Sequence, residues 1–250
     1  MSRFLALAPP ELYASALRVP WPADPLEQVR CLDAGTRALG LATTCAPWSA
    51  DAEDAALADE LDLPKGTSAG FDPLDEVTTW LGATPAAPPI FGLISGPAHW
   101  SGRVSDHPDA LDIAADLAAG RVRALAAAGV ERVVVIERMA PQSDQARVAD
   151  AHETILRAAR HLQLDVLLVL EGDTTTTDAL GYADWVSLSG ASPGRAYLAP
   201  AALESSAELT NALTTRADLH EVVTGLLRPQ TSPDRVRQAV SAVSAMGALR

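Results

Sequence analysis

The stretches PIFGLISGPAHW (residues 89–100), VVVIERMAP (133–141) and VLLVLEGDT (166–174) decide the fold of this chain. Each contains an apolar run that stops at Gly or Pro beside a polar side chain. Continuous apolar runs of this length are typical of parallel strands, because such strands are buried on both faces. Polar groups that follow parallel strands lie where α/β barrels and open α/β sheets keep their active sites. The pattern therefore predicts a pocket at the ends of neighbouring strands.

Strands and helices alternate along the chain. Eight strands are predicted, at residues 4–8, 40–47, 90–95, 132–136, 165–170, 184–190, 196–199 and 221–227. Helices are predicted at residues 24–39, 49–61, 72–81, 108–128, 143–162, 176–182, 203–213 and 232–246. Eight strands that alternate with helices in 250 residues predict a single (β/α)8 barrel of the TIM type, one domain over residues 1–250. Its site is expected at the C-terminal ends of the strands.

Composition excludes several classes of protein. The formal net charge of −13 argues against nucleic acid or an anionic membrane as a partner. Only two cysteines occur, Cys31 and Cys45, which excludes a secreted disulfide scaffold. No apolar run approaches the roughly 18 residues that a transmembrane helix needs. We therefore expect a soluble, cytoplasmic protein that acts on a small molecule.

Three residues are predicted to be catalytic: His99, Glu137 and Glu171. They follow or end three consecutive predicted strands. Neighbouring strands lie roughly 4.8 Å apart, so these side chains should converge to within about 10–12 Å. Carboxylates in such a pocket serve as acid, base or hydrogen-bond acceptor, and histidine serves as acid, base or metal ligand. The structural alternatives are an ion pair with Arg138 for Glu137 and a backbone hydrogen bond for His99.

Six more residues near the predicted strand ends are candidates for substrate binding: Arg138, Asp173, Trp100, Cys45, Ser189 and Arg195. A guanidinium group matches a substrate carboxylate with two parallel hydrogen bonds. Alternate residues of an extended segment point the same way, so Asp173 would enter the pocket beside Glu171. Structural alternatives exist here too, since an aspartate can cap a helix, a tryptophan can pack in the core, and a lone cysteine is often an inert small hydrophobe.

The predicted pocket is poor in zinc ligands. It offers one histidine, at most one cysteine and three carboxylates, whereas a structural zinc site takes four ligands drawn largely from Cys and His. No residue is therefore assigned as a metal ligand. An oxygen-rich set suits a weakly held Mg²⁺ or Mn²⁺, or no metal at all. We expect the fold to survive chelation.

Four segments carry a resemblance to a known family. FGLISGPAHW (91–100) resembles the "GP-(F/A/L)-T-L" strand end of the uroporphyrinogen decarboxylase and cobalamin-independent methionine synthase superfamily. AAAGVERVVVIE (126–137) resembles its helix-to-strand unit, LVLEGDTT (168–175) its "hxCGdt" strand end, and TSPDRVR (231–237) the start of its final helix. Together these units span roughly residues 72 to 246 in the order that the family has.

The resemblance implies a barrel enzyme in which an acid at position 137 faces the substrate. The family's Arg-rich N-terminal loop, which binds porphyrinogen propionates, is missing, so uroporphyrinogen is not the expected substrate. Zinc methyltransferases of the family use a His-x-Cys pair where this chain has Val169 and Glu171. Zinc activation of a thiol by that route is therefore lost. Members that pass methyl groups to a corrinoid protein need not keep the pair. A corrinoid partner, a weakly held divalent cation or no cofactor thus stay open.

Three functions remain in competition. One-carbon (methyl) transfer to a corrinoid or thiol acceptor leads, because the turn GDT (172–174) resembles the methyltransferase branch. Decarboxylation of a small carboxylated substrate is the alternative, and it would need Arg138 or Arg195 to bind the acid. A non-catalytic binding or partner protein is the third.

Overall fold

The computed structural model describes residues 3–63, 89–138, 144–171, 180–187, 191–205 and 219–248. Eight strands occur in these residues: β1 (Arg3–Leu7), β2 (Thr44–Cys45), β3 (Ile90–Ser95), β4 (Arg132–Glu137), β5 (Asp165–Leu170), β6 (Asp184–Ser187), β7 (Arg195–Leu198) and β8 (Glu221–Leu226). The apolar runs of β4 and β5 are almost completely buried, as expected for strands covered on both faces.

The same described residues contain seven α-helices, which pack around the strands: α1 (Pro10–Leu17), α2 (Pro25–Leu39), α3 (Ala50–Glu60), α4 (Pro97–Val104), α5 (Ala110–Ala127), α6 (Gln145–His161) and α7 (Pro233–Ala248). A 3₁₀ helix, Pro200–Glu204, follows β7. The predicted helix at 72–81, most of that at 176–182 and most of that at 203–213 lie outside the described residues. No helix in the described ranges has the length and apolar character needed to cross a bilayer.

The strands form two parallel sheets. One has the order β1-β8-β7 and the other runs from β2 to β6 in chain order. Placed side by side, the two sheets reproduce the cyclic order of a (β/α)8 barrel. The predicted α/β class and parallel strands are therefore confirmed. The described residues contain no backbone ladder between β1 and β2 or between β6 and β7, so the closed barrel is not observed.

A tyrosine side chain lies where β1 would pair with β2 in a closed barrel. Tyr13 is completely buried on α1, and its Oη accepts a hydrogen bond from the Cys45 N–H over 3.1 Å. Gly35 on α2 permits this packing, because a Cβ there would lie 2.7 Å from the Tyr13 Cβ. A side-chain hydroxyl thus takes the place of the backbone acceptor that a ladder with β1 would supply.

A different contact explains why the described residues show no backbone ladder between β6 and β7. The Ser192 N–H donates to the Trp185 carbonyl over 2.8 Å, and the Trp185 N–H donates to Ser192 Oγ over 3.1 Å. A short antiparallel bridge, Val186 with Ala191, accompanies these bonds. The segment that leaves β6 therefore bonds to β6 itself, and β7 pairs with β8.

A layer of charged side chains closes the N-terminal end of the strands, which we call the base. Glu221 accepts hydrogen bonds from Arg132 Nη1 over 2.6 Å and from Arg195 Nε over 2.8 Å. Arg195 also binds Asp184, at 2.5 and 2.9 Å. The predicted role of Arg195 in substrate binding is therefore corrected, because it begins β7 at the end opposite the strand C-termini and two carboxylates already bind it.

Local sequence signals explain where the elements begin and end. Asp24 caps α2 through the Glu27 N–H, and Gly40 ends that helix in the left-handed region at φ 72°. The strand predicted at 40–47 is observed only as Thr44–Cys45, and the chain bends at residues 42–43 before it. Two helices were not predicted, α1 and α4. Both have proline at their first position, where its fixed φ and missing N–H are favourable.

Candidate functional site

The C-terminal ends of the strands form a region that we call the mouth, and α4 begins there directly after β3. Gly96 stands between the two elements, and a Cβ at this position would lie 2.4 Å from Glu137 Oε2. Only glycine lets the first turn of α4 come this close to the carboxylate. His99 lies in that first turn, so its place depends on the contact.

Glu137 is completely buried and binds the N-terminus of α4. Its Oε1 accepts hydrogen bonds from the backbone N–H groups of His99, over 2.6 Å, and of Arg138, over 2.7 Å. Its Oε2 accepts from the Ala98 N–H over 3.1 Å. Because Arg132 points into the interior of the fold, Glu137, five residues later on the same strand, points to the helix layer. The predicted catalytic role does not fit this position, since the carboxylate is enclosed and its oxygens are occupied.

Two residues that the sequence analysis missed complete this buried group. His152 on α6 bonds through Nε2 to Glu137 Oε2 over 2.8 Å, and through Nδ1 to Tyr182 Oη over 2.9 Å. All three side chains are buried, and we call them the Glu137 network. A signal for His152 was present: it falls in the apolar stripe of Val148, Ile155 and Ala159, where a polar side chain needs a buried partner.

The electrostatics of the Glu137 network fix its protonation. Burial alone would raise the pKa of Glu137, but hydrogen bonds from His152 and from backbone N–H groups outweigh it and hold that pKa below its ordinary value. Burial raises the pKa of Tyr182, with the Glu137 charge adding to the effect. The carboxylate is thus ionised and accepts only. His152 Nε2 must donate, so in the neutral ring Nδ1 accepts from the Tyr182 hydroxyl.

His99 is half-buried and near both predicted carboxylates. Burial and the Arg103 guanidinium lower its pKa, against the opposing charges of Glu137 and Glu171 and a hydrogen bond from its ring to the Ile136 carbonyl. That backbone bond is the structural alternative predicted for His99. The imidazole is therefore neutral at pH 7, with one donor and one acceptor nitrogen. Its Nδ1 is buried and has no hydrogen-bond partner among the described residues.

Glu171 extends from β5 into the mouth. Asp165 pairs in register with Arg132, so Glu171, six residues further on, shares the interior face. Its Oε1 lies 3.5 Å from the Leu226 amide nitrogen, at the far wall where β8 ends. Its charge also acts on His99 and on Tyr197. Glu171 thus lies among side chains contributed by three different strands or their loops.

Tyr197 is the third polar group of the mouth, and the sequence analysis did not select it. It lies on β7 against Gly225 of β8, where a Cβ would come 2.2 Å from the tyrosine Oη. Burial and the charge of Glu171 raise the pKa of Tyr197 to about 12. The phenol therefore keeps its proton at neutral pH and can donate a hydrogen bond. Aromatic residues inside a strand are usually packing residues, so only the neighbouring glycine could have suggested this one.

A buried ion cluster supports the other end of α4. Glu53 on α3 is completely buried, and it accepts a hydrogen bond from the Ser95 N–H over 3.0 Å. Arg103 bonds to Glu53 over 3.2 Å, to Asp54 over 2.9 Å, and to Ser95 Oγ over 3.1 Å. Because β2 ends before it reaches Ser95, the Glu53 carboxylate accepts the hydrogen bond of the Ser95 N–H in place of a backbone carbonyl. Arg103 is therefore neutralised by two carboxylates.

Two predicted substrate contacts have packing roles instead. Trp100 is completely buried in the helix layer, with the Arg121 guanidinium of α5 5.5 Å from its ring centroid. It is enclosed by helices and cannot form a wall of the mouth. Cys45 is 2% exposed, and burial raises the pKa of its thiol to about 12, which suits an inert core residue.

The remaining predicted residues are placed as follows. Arg138 is exposed directly after β4. Asp173 and Ser189 lie outside the described residues. Residues 190–194, GASPG, match the GxSxG pattern of serine hydrolases. Ser192, however, bonds to the Trp185 backbone and precedes a strand at the base, whereas a nucleophile elbow follows a strand and opens a helix.

Zinc of the methyltransferase kind does not fit the residues present. At the position of the family's His-x-Cys pair, Val169 is completely buried and has no ligand atom. In the described part of the chain, no group of three or more His, Cys, Asp or Glu side chains could hold a metal ion. We therefore derive no step through zinc.

Solved structures share this fold. A methyltransferase from Methanosarcina mazei matches with a TM-score of 0.65 at 14% identity, covering 98% of this chain and 94% of that one. D-psicose 3-epimerase from Clostridium cellulolyticum H10, solved with D-tagatose, matches with a TM-score of 0.50 at 10% identity, covering 100% and 99%. No protein-family model and no curated protein matches the sequence. At these identities the likeness shows the fold alone, an α/β arrangement of the TIM-barrel type.

Proposed function

We propose that this protein is an enzyme that transfers a methyl group between small molecules at the mouth. The observation that carries the proposal is the placement of Glu171, inside the mouth and near both His99 and Tyr197. The full-length likeness in fold to a methyltransferase supports it. Sites at the C-terminal ends of the strands are the rule for enzymes of this architecture.

The chemistry assigns one role to each group. Glu171 takes the proton of an acceptor thiol, and the sulfur attacks the methyl carbon of the donor. The bond from that carbon to the oxygen, sulfur or nitrogen of the donor breaks, this heteroatom keeps the electron pair, and Tyr197 gives it a proton. Glu171 then returns its proton to Tyr197. His99, neutral and half-buried, holds the substrate by a hydrogen bond from its ring.

Decarboxylation has less support. It needs a cation in the mouth to hold the substrate carboxylate, yet Arg195 lies at the base and Arg103 is bound by two carboxylates. In the described residues, Arg138, exposed after β4, and Arg228, exposed after β8, remain for that role. A non-catalytic binding protein is the other alternative, and an inactive wild-type protein would favour it.

The test is transfer of a ¹³C-labelled methyl group. Purified protein is incubated with an aryl methyl ether, a methyl thioether or a methylamine as donor, and with a small thiol or a corrinoid as acceptor. Methylated product is followed by NMR. We expect product with at least one donor, and a loss of about 100-fold or more for Glu171→Gln.

Glu131→Gln is the matched control, because Glu131 is an exposed carboxylate at the base and should leave the rate unchanged. No transfer by the wild-type protein from any donor, or equal rates for wild type and Glu171→Gln, would overturn the proposal.

A further inference from the structure

We infer that the Glu137 network, Tyr182–His152–Glu137, is a positioning unit that fixes His99 in the mouth by holding the first turn of α4. This inference rests on the proposed function, since it takes His99 to be a substrate-binding group. None of the three side chains touches the mouth directly; they act through the backbone of α4.

The contacts run in one continuous line. Tyr182 Oη lies 2.9 Å from His152 Nδ1, and His152 Nε2 lies 2.8 Å from Glu137 Oε2. The same carboxylate accepts the N–H groups of Ala98 and of His99 itself. A displacement of Glu137 therefore moves the backbone of His99 directly.

Electrostatics strengthens this hold. The first turn of a helix has unpaired N–H groups and a partial positive charge, so an ionised carboxylate there is stabilising. Glu137 is ionised although it is completely buried, and such a charge requires compensation by hydrogen bonds. His152 and the N–H groups of α4 provide it together. The buried Glu137 carboxylate and the first turn of α4 therefore stabilise each other.

The unit also sets the charge around the His99 ring. The titratable and charged groups that act on this ring are Arg103 on α4, Glu137 on β4 and Glu171 after β5. Glu137 favours the protonated imidazole. Removing its charge while keeping its shape should therefore lower the pKa of His99, which is a readout that packing alone would not give.

The experiment compares three variants. Glu137→Gln removes the charge, Tyr182→Phe removes only the outer hydroxyl, and Tyr13→Phe is the matched control. Tyr13 is an equally buried tyrosine with one hydrogen bond, in the join between β1 and β2. Two quantities are measured by NMR: the titration of the His99 ring, assigned against His99→Gln, and the hydrogen exchange of the Ala98 and His99 amides.

We expect Glu137→Gln to lower the pKa of His99 by about one pH unit, the scale of one nearby charge. Exchange of the two amides should accelerate about tenfold in Glu137→Gln and about fivefold in Tyr182→Phe, through loss of a hydrogen bond to or behind the carboxylate. Tyr13→Phe should change neither quantity.

The inference is overturned if both network variants alter these readouts no more than Tyr13→Phe does. Should Glu137→Gln fail to fold, Tyr182→Phe decides the question by amide exchange. Both readouts are independent of turnover, so their failure leaves the proposed function standing, and an inactive enzyme leaves them interpretable.

Discussion

Arg195 and Glu221 form an ion pair at the base, with Arg195 Nε 2.8 Å from Glu221 Oε2. The Glu221 side chain is only 4% exposed, and its other oxygen binds Arg132. One carboxylate therefore joins three strands, β4, β7 and β8. Arg195 also binds Asp184 on β6, so its guanidinium connects β6 to β7, between which the described residues show no backbone ladder.

Replacing Glu221 should destabilise the fold strongly. Glu221→Gln leaves two partly buried guanidinium groups short of a charge, and we expect a loss of about 3 kcal/mol in the free energy of unfolding. Asp165→Asn is the matched control, because Asp165 lies 3.8 Å from the same Arg132 but is 74% exposed. Its loss should be below about 0.5 kcal/mol. Urea unfolding distinguishes the two, and equal losses would show that burial of Glu221 is unimportant.

Stability should fall at alkaline pH. Burial raises the pKa of Cys45 and of Tyr197 to about 12, from ordinary values near 9 and 10, and it also raises those of Cys31, Tyr13 and Tyr182. Above about pH 9 the unfolded chain loses these protons while the folded chain keeps them. The contribution of these groups to the free energy of unfolding is therefore complete below about pH 9. As the pH rises further, it declines by about 1.4 kcal/mol per pH unit for each proton that the folded chain keeps and the unfolded chain has lost.

Urea unfolding between pH 8 and 11 measures this decline, and tyrosinate absorbance should appear only together with unfolding. A tyrosine that ionises near pH 10 in the folded protein would contradict the burial of that tyrosine.

Neither cysteine should react while the protein is folded. Cys31 and Cys45 are 5% and 2% exposed, and the thiolate is the reactive form. With a pKa of about 12, Cys45 is roughly 0.01% thiolate at pH 8. A thiol reagent should therefore label both residues only in denaturant. Rapid labelling of Cys45 in buffer would restore it as a candidate nucleophile.

A methyl group at Gly225 should disturb the mouth. In Gly225→Ala the new Cβ would lie 2.2 Å from Tyr197 Oη and 2.9 Å from Pro200 Cδ. We expect a loss of about 1–3 kcal/mol in stability from overpacking, together with displacement of Tyr197. Gly120→Ala on α5 meets nothing within 4 Å and should stabilise by about 0.5–1 kcal/mol. Thermal or urea unfolding of both variants checks the difference in sign.

The sequence predicted β3 and β5 to the residue and β4 to within one, because apolar runs of this kind have few other uses than buried parallel strands. Burial on both faces is also the reason why the sequence could not predict which way Glu137 points. A strand buried on both faces shows no alternation, so nothing in VVVIE (133–137) tells which residues face the interior. Glu137 and Glu171 both end strands, yet one points to the helix layer and the other into the mouth.

The other features that the sequence did not predict are contacts between residues far apart in the chain. His152 is 15 residues from Glu137, and Glu221 is 89 residues from Arg132, so neither pair could be recognised without the fold. The sequence did indicate that the two carboxylates and His99 gather near one end of the sheet. Arg195 directly precedes the strand predicted at 196–199, so that prediction already implied a place at the start of the strand, opposite the mouth, and its selection as a substrate contact was wrong on this ground.

In the described residues, two gaps in backbone pairing, between β1 and β2 and between β6 and β7, divide the strands into a smaller half of three and a larger half of five. Side chains lie across both gaps: Arg195 binds Asp184 across one, and Tyr13 binds the Cys45 N–H at the other. Glu171 and His99 belong to the larger half, whereas Tyr197 and Leu226 belong to the smaller. The proposed base and the proposed acid therefore stand on two groups of strands that no backbone ladder joins in the described residues, so side-chain contacts between the groups set their separation.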